Sequence, residues 1–278
     1  MSVSKFPRQN LIALPSFNRI WSYFQFIREQ EFYGIPATPL QLILGMINRT
    51  VKGHVYSGPF AGLQYVPESI MSAHYPKLLG TYELELHPII EKLCQTDFEK
   101  IINVGAGEGY YSIGFATRNK QAKIVAFEPG TQGRKLIKEM ARLNGVEKQL
   151  DLQGLCDITS FQDALNDSLK YLVIMDCEGS ESILLDPRNF PNLKTATIVV
   201  EMHTSNVPGL DEIIISRFQD THNIAEIWTR DRTVKDFPFK LPTWVYLLFK
   251  NTLLNIMYEN RGKSMCFFYL EPKIYNQS

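Results

Sequence analysis

The sequence predicts an α/β fold: a mostly parallel sheet with helices on both faces, preceded by a helical and β-hairpin extension. Three observations carry this. Short apolar runs alternate with helix-length segments from residue 100 onward. Two of those runs, YLVIMD at 171–176 and ATIVVEMH at 196–203, are nearly unbroken, as strands covered on both faces must be. The first run, IINV, leads straight into a glycine-rich turn and a new helix. Residues 1–80 form the extension and 81–278 the main domain.

In order, Phe17, Ile20, Trp21, Phe24 and Ile27 recur at spacings of three and four and predict an amphipathic helix. A second helix follows the prolines at 36 and 39. The glycine-punctuated stretch 51–66 reads as a β-hairpin. TYELELHPIIEKL reads as a helix with Thr81 as N-cap, kinked or split by Pro88. The main sheet then takes strands near 101–104, 123–127, 150–156, 171–176, 196–203, 224–228 and 264–270. Helices are expected at 110–118, 131–143, 161–165 and 210–218, with a short one in SESILL. Asn144-Gly145 supplies a helix stop.

Composition narrows the function. The chain has 278 residues, 45% hydrophobic and 12% aromatic, enough for one large core. Lys+Arg and Asp+Glu are both 29, and no run of five like charges occurs. A protein that neutralises phosphates carries a basic excess, so nucleic acid is a poor partner. Cys94, Cys156, Cys177 and Cys266 are scattered, which suits reduced thiols in a cytoplasmic protein and gives no zinc site. LIALP is too short for a signal peptide. Lys250 and Asn251 interrupt the apolar run LPTWVYLLFKNTLLNIM, which predicts a docked helix and leaves a peripheral membrane contact open.

The turn after the first strand carries Gly105, Ala106, Gly107, Glu108, Gly109 and Tyr110. Glycines let the backbone turn tightly and let a ligand approach the main chain. A dinucleotide site wants G-x-G-x-x-G, with a pyrophosphate at the helix N-terminus. Here the spacing is G-x-G-x-G, and a carboxylate at Glu108 would repel a pyrophosphate. It suits a ligand with a sulfonium and a free amino group, S-adenosylmethionine. Glu128 ends the second strand, where a carboxylate can accept from both ribose hydroxyls. Asp157 ends the third and either accepts from the adenine amino group or caps the next helix.

Ligands of open parallel sheets bind beyond the carboxyl ends of the strands. The fourth strand ends in DCEGSE, with Asp176, Glu178 and Glu181. The fifth ends in EMH, with Glu201 and His203 two residues apart on one face. Methylating a hydroxyl needs a proton acceptor beside it. His203 is the better candidate by its ordinary pKa, Glu178 the better one for sugar hydroxyls. Such a cluster can hold a divalent cation; no metal is assigned on the sequence.

VGAGEGYYS, FEP, MDCEGSE and VVEMH together resemble the FkbM-type family of S-adenosylmethionine-dependent methyltransferases. Its hallmark, D-x-E-G-x-E, is matched by Asp176, Glu178, Gly179 and Glu181. The resemblance covers roughly 100–205 and extends more weakly through GPFAGL and PKLLGTYELEL. It implies a seven-stranded Rossmann-like class I methyltransferase fold, S-adenosylmethionine as donor, and O-methylation of a small-molecule or glycan acceptor. It makes Tyr82 and Glu83 cofactor neighbours. Asn103 departs from it, because an acidic residue commonly stands two before the first glycine. Two other readings stay open. One is an NAD-type oxidoreductase, since the position of Glu128 suits nicotinamide too. The other is a binding module without catalysis, supported by Asn103. Acceptor choice is expected in the first 80 residues and in 230–260, where Trp244 and Tyr246, with nearby Trp228, either stack on a sugar or pack.

Overall fold

The computed structural model describes residues 38–273, apart from 71, 167–169, 260 and 262–264. The predicted helix around Phe17–Ile27 lies outside the described residues. The strands are β1 Lys100–Val104, β2 Lys123–Phe127, β3 Leu150–Gln153, β4 Tyr171–Met175, β5 Thr197–Glu201, β6 His222–Trp228 and β7 Cys266–Pro272. They form one sheet in the order β3-β2-β1-β4-β5-β7-β6. Strands β1 to β5 pair in parallel. β7 is antiparallel to both neighbours. This is a Rossmann-like α/β sheet.

Alternation explains the unbroken apolar runs. Ile101, Ile124, Leu172, Ile174 and Val199 face one core. Ile102, Val125, Val173, Met175 and Val200 face the other. Successive strand side chains point to opposite faces, so burial on both sides demands apolar residues at every position. The chain order moves outward from β1 through β2 to β3, then restarts on the other side at β4. The crevice that binds ligands in such sheets therefore opens above β1 and β4.

The upstream helices are α1 Pro39–Val51, α2 His74–Leu79 and α3 His87–Cys94. Ile43, Leu44, Ile47 and Val51 of α1 join the same core as the main sheet. The hairpin expected over 51–66 is reduced to one antiparallel bridge, His54 to Gln64. Gly53, Gly58 and Gly62 all have positive φ, and they wind the chain around Phe60 instead of extending it. Phe60 packs edge-on against Tyr110, Tyr111 and Phe115. A Cβ on Gly114 would meet that ring at 2.6 Å. Burying such a phenyl contributes roughly 1.5–3 kcal/mol, more than a marginal two-stranded ladder gives on its own.

Thr81 does not cap a helix. A 3-10 turn, Leu84–Leu86, precedes α3, and Pro88 sits in the first turn of α3, where its missing N–H costs nothing. After β1 come α4 Tyr110–Arg118, α5 Thr131–Asn144, α6 Ile158–Ala164, α7 Glu181–Leu184 and α8 Leu210–Phe218. The apolar run at 241–257 is two short helices, α9 Thr243–Leu248 and α10 Lys250–Ile256. Leu253 and Ile256 are buried, whereas Trp244, Leu247 and Leu248 are exposed. Among the described residues no helix is long and apolar enough to cross a membrane.

Candidate active site

The tips of β1 and β4 touch. Gly105, at φ 81°, lies so close to the Asp176 carbonyl that a Cβ would stand 1.6 Å from its oxygen. The Asp176 amide continues the ladder by donating to Val104 at 3.0 Å. Above this junction lies a cavity of about 560 Å³, within the roughly 300–1,000 Å³ of small-molecule sites. Gly105, Ala106, Gly107, Tyr110, Glu128, Tyr82 and Glu83 all line it, as do Asp176, Glu178 and Glu201.

Glu128 binds the turn itself. One carboxylate oxygen accepts from the Gly107 amide at 2.8 Å, the other from the Gly130 amide at 2.7 Å. A carboxylate offers about four acceptor positions, so two remain for hydroxyls. Gly133 permits this geometry, because a Cβ there would meet Glu128 at 2.6 Å and the Gly107 carbonyl at 2.7 Å. Gly109, at φ 98°, starts α4 in a conformation that favours glycine.

Glu108 corrects the sequence reading. Its side chain is buried and forms an ion pair with the equally buried Lys77. It also accepts from the Tyr65 hydroxyl and, at 3.0 Å, from the Ile70 amide. Burial raises its pKa, but Lys77 and these hydrogen bonds outweigh that and hold it below the ordinary carboxylate value. Glu108 is thus neutralised by the segment covering the turn and does not confront a ligand with free charge. The cavity is acidic for another reason. Among the described residues, seven carboxyl groups line it (those of Glu83, Glu108, Glu128, Asp176, Glu178, Glu201 and Glu259) against the two cations Lys77 and Arg261.

Asn103 is buried and turned to structure. Its oxygen accepts from the Ser112 hydroxyl at 2.7 Å, tying β1 to α4. Of the two readings open for Asp157, the structure shows the helix cap. Its carboxylate accepts from the Ser160 amide at 2.8 Å as the N-cap of α6. The cavity wall beside it is Leu155 and Cys156. The third carboxylate of the predicted adenosine grip is therefore a helix cap.

Tyr82, Glu83 and Tyr110 form one wall. The Tyr82 and Tyr110 rings meet edge to face at 5.5 Å. Glu83 has φ 48°, a conformation that carries strain outside glycine. It accepts from the Tyr111 hydroxyl and pairs with Arg261. Arg261 also binds Glu201 at 3.0 Å, Glu259 at 3.2 Å and the Tyr82 hydroxyl at 2.7 Å. This arginine was invisible in sequence. It is one cation in a polar stretch between helix and strand, and no pattern marks it.

The tips of β4 and β5 gather every acidic residue the sequence reading placed there. His203 Nδ1 lies 2.7 Å from the fully buried Glu181. Its Nε2 faces Asp176 at 3.5 Å, Glu178 at 3.6 Å and Glu201 at 3.9 Å. Burial alone lowers the imidazole pKa, but the Glu181 hydrogen bond and the charges of Asp176 and Glu201 raise it to about 9. A raised pKa favours the protonated imidazole at neutral pH over the proton-accepting form that the sequence suggests. Burial, then Glu83, raises the Asp176 carboxyl. Burial, then Asp176, raises Glu201. A carboxylate with a raised pKa is a better base than an ordinary one.

No protein-family model and no curated protein matches the chain. Solved structures similar to it include a precorrin-6y C5,15-methyltransferase from Geobacter metallireducens, at 12% identity over 70% of this chain and 88% of that one, with a TM-score of 0.45. A SAM-dependent O-methyltransferase from Thermotoga maritima shares 13% identity over 70% of this chain and 68% of that one, with a TM-score of 0.42.

Proposed function

We propose that the protein is an S-adenosylmethionine-dependent O-methyltransferase of FkbM type, acting on a hydroxyl of a carbohydrate-type or secondary-metabolite acceptor. One observation carries this: the glycine turn, Glu128 and the acid-rich tips of β4 and β5 share a single cavity at the point where the strand order reverses. When bound, the cofactor supplies an electrophilic methyl group. Glu128 holds ribose hydroxyls with its free acceptor positions. Gly107, beside Gly105 and Ala106, lets the backbone approach it closely, whereas Gly109, predicted with them, packs against Ile113 and Ile137; Tyr82, Glu83 and Tyr110 close the wall above. The excess of carboxyl groups suits a ligand bearing sulfonium and ammonium charges.

The same excess opposes a pyrophosphate, which disfavours the NAD-type oxidoreductase. Asp176 is the proton acceptor and Glu178 orients the acceptor hydroxyls. His203 is a positioning residue, held by Glu181. The four cysteines are free thiols, which supports a cytoplasmic setting.

The test is mass spectrometry of candidate glycans and hydroxylated metabolites incubated with protein and isotopically labelled methyl donor. Label on an acceptor oxygen, lost in Asp176→Asn, is the expected result. Label on nitrogen or carbon would overturn the O-methyl assignment. Absence of turnover with the cofactor still bound would favour the silent binding module.

A further inference from the structure

The imidazole of His203 faces Asp176 and Glu178, which line the cavity, in a way that proton transfer does not require. Its side chain is only 7% exposed. The Nδ1 edge is anchored by Glu181, whose side chain is fully buried. Among the described residues no hydrogen bond closes on Nε2. Its neighbours Asp176 and Glu178 stand at 3.5 and 3.6 Å, well beyond the usual hydrogen-bond distance of roughly 2.9–3.0 Å. Two donors each about 2.1–2.2 Å from a shared ion stand roughly 3.0–3.6 Å apart. One donor atom from each of Asp176, Glu178 and His203 lies within 4.8 Å of the others.

We infer that Asp176, Glu178 and His203 Nε2 form a divalent-cation site at the acceptor end of the cavity. The acidic cluster alone would not carry this. Three further features do. First, Nε2 belongs to a side chain more than nine-tenths buried and points into the cluster without a hydrogen bond. Second, a buried carboxylate holds the opposite nitrogen, the arrangement that fixes tautomer and ring orientation for metal-ligating histidines. Third, Glu181 is itself fixed in place, because the oxygen that holds Nδ1 also accepts from the Cys177 amide at 3.3 Å. Backbone geometry supports the set. Glu178 adopts φ 57° and Gly179 φ 120°, and this turn brings Asp176 and Glu178 to the same side.

Two carboxylates and one imidazole suit a cation of intermediate hardness, such as Mn²⁺, better than zinc, whose structural sites favour thiolates. Binding puts the ion where the Nε2 proton sits and releases that proton to solvent. It also offsets the mutual repulsion of Asp176, Glu178 and Glu201. On the methyl-transfer reading, the ion would polarise the acceptor hydroxyl, and the departing proton would pass to the Asp176 oxygen that does not hold the ion. Metal binding itself does not depend on that reading.

The experiment titrates the chelator-stripped full-length protein with Mn²⁺ alone, without cofactor or acceptor. Free Mn²⁺ is followed by electron paramagnetic resonance. One ion per chain is expected. Glu178→Gln, at a side chain 61% exposed, leaves the fold intact and weakens binding at least tenfold. His203→Ala abolishes it. Glu181→Gln, which touches no ion, weakens it roughly 10–100-fold. Circular dichroism separates these losses from unfolding. No saturable binding to the wild type would overturn the proposal, and so would binding unchanged by Glu178→Gln. Failure here with S-adenosylmethionine still binding would remove the metal and leave the methyltransferase.

Discussion

On the glycine-turn side of the cavity, the carboxylates are satisfied by the protein. Glu128 accepts two backbone amides, Glu108 is paired with Lys77, and Asp157 caps a helix. On the β4–β5 side they are crowded together. Asp176, Glu178 and Glu201 converge on one imidazole, and burial and mutual repulsion raise the pKa of Asp176 and Glu201. The first side is preorganised and has a fixed shape. The second stores unfavourable electrostatics that a cation, a proton transfer or a polar acceptor relieves. Shape on one side and reactivity on the other is the division expected where a cofactor is held and an acceptor is activated.

Substitutions on the shaped side should therefore act through geometry. The largest effect is expected from Gly105→Ala. Its Cβ would overlap the Asp176 carbonyl, and positive φ adds strain. Loss of cofactor binding in calorimetry, with destabilisation on the order of 3–5 kcal/mol, is expected. Lys77→Ala comes next, because it leaves Glu108 buried and unpaired. Chemical denaturation should show a loss of roughly 3–5 kcal/mol, mostly recovered when Glu108→Gln is added. Near-additive losses would show that the pair is not coupled.

Acid should open the same cluster. Burial, its largest influence, holds His74 near pKa 4, below its ordinary value of 6.5, so the native form is neutral. As pH falls below about 6.5 the unfolded chain takes up the proton first. Stability should decline down to about pH 4 by roughly 3 kcal/mol, and His74→Gln should flatten that slope. The smallest effect belongs to Asp157→Ala. Losing an N-cap lowers stability only slightly at so exposed a position, and cofactor affinity should not change. A large drop in affinity would restore Asp157 to the adenosine site.

What the sequence revealed follows the same division. Strand positions, the glycine turn and the acidic tip were legible, because backbone demands leave local marks: apolar runs, glycines and carboxylates at strand ends. Partnerships across the chain left no local mark. Lys77 lies 31 positions before Glu108, and Arg261 lies 178 positions after Glu83. Glu108 consequently read as a ligand-facing charge, and His203 read as a base by its ordinary pKa. The 51–66 stretch showed strand-like composition, but its packing around Phe60 depends on Gly114, far away in sequence. Asp157 was ambiguous because capping and adenine recognition draw on the same carboxylate chemistry.

The most direct test of the central claim is calorimetric titration of the wild-type protein with S-adenosylmethionine and with its demethylated product, beside Asp176→Asn and Glu128→Ala. The account predicts one site per chain for either ligand. Glu128→Ala should weaken both by roughly 1.5–3 kcal/mol, the worth of hydrogen bonds to a charged group. Asp176→Asn should retain binding and lose methyl transfer. No binding of either ligand to the wild type, or tighter binding of a nicotinamide dinucleotide, would contradict the account.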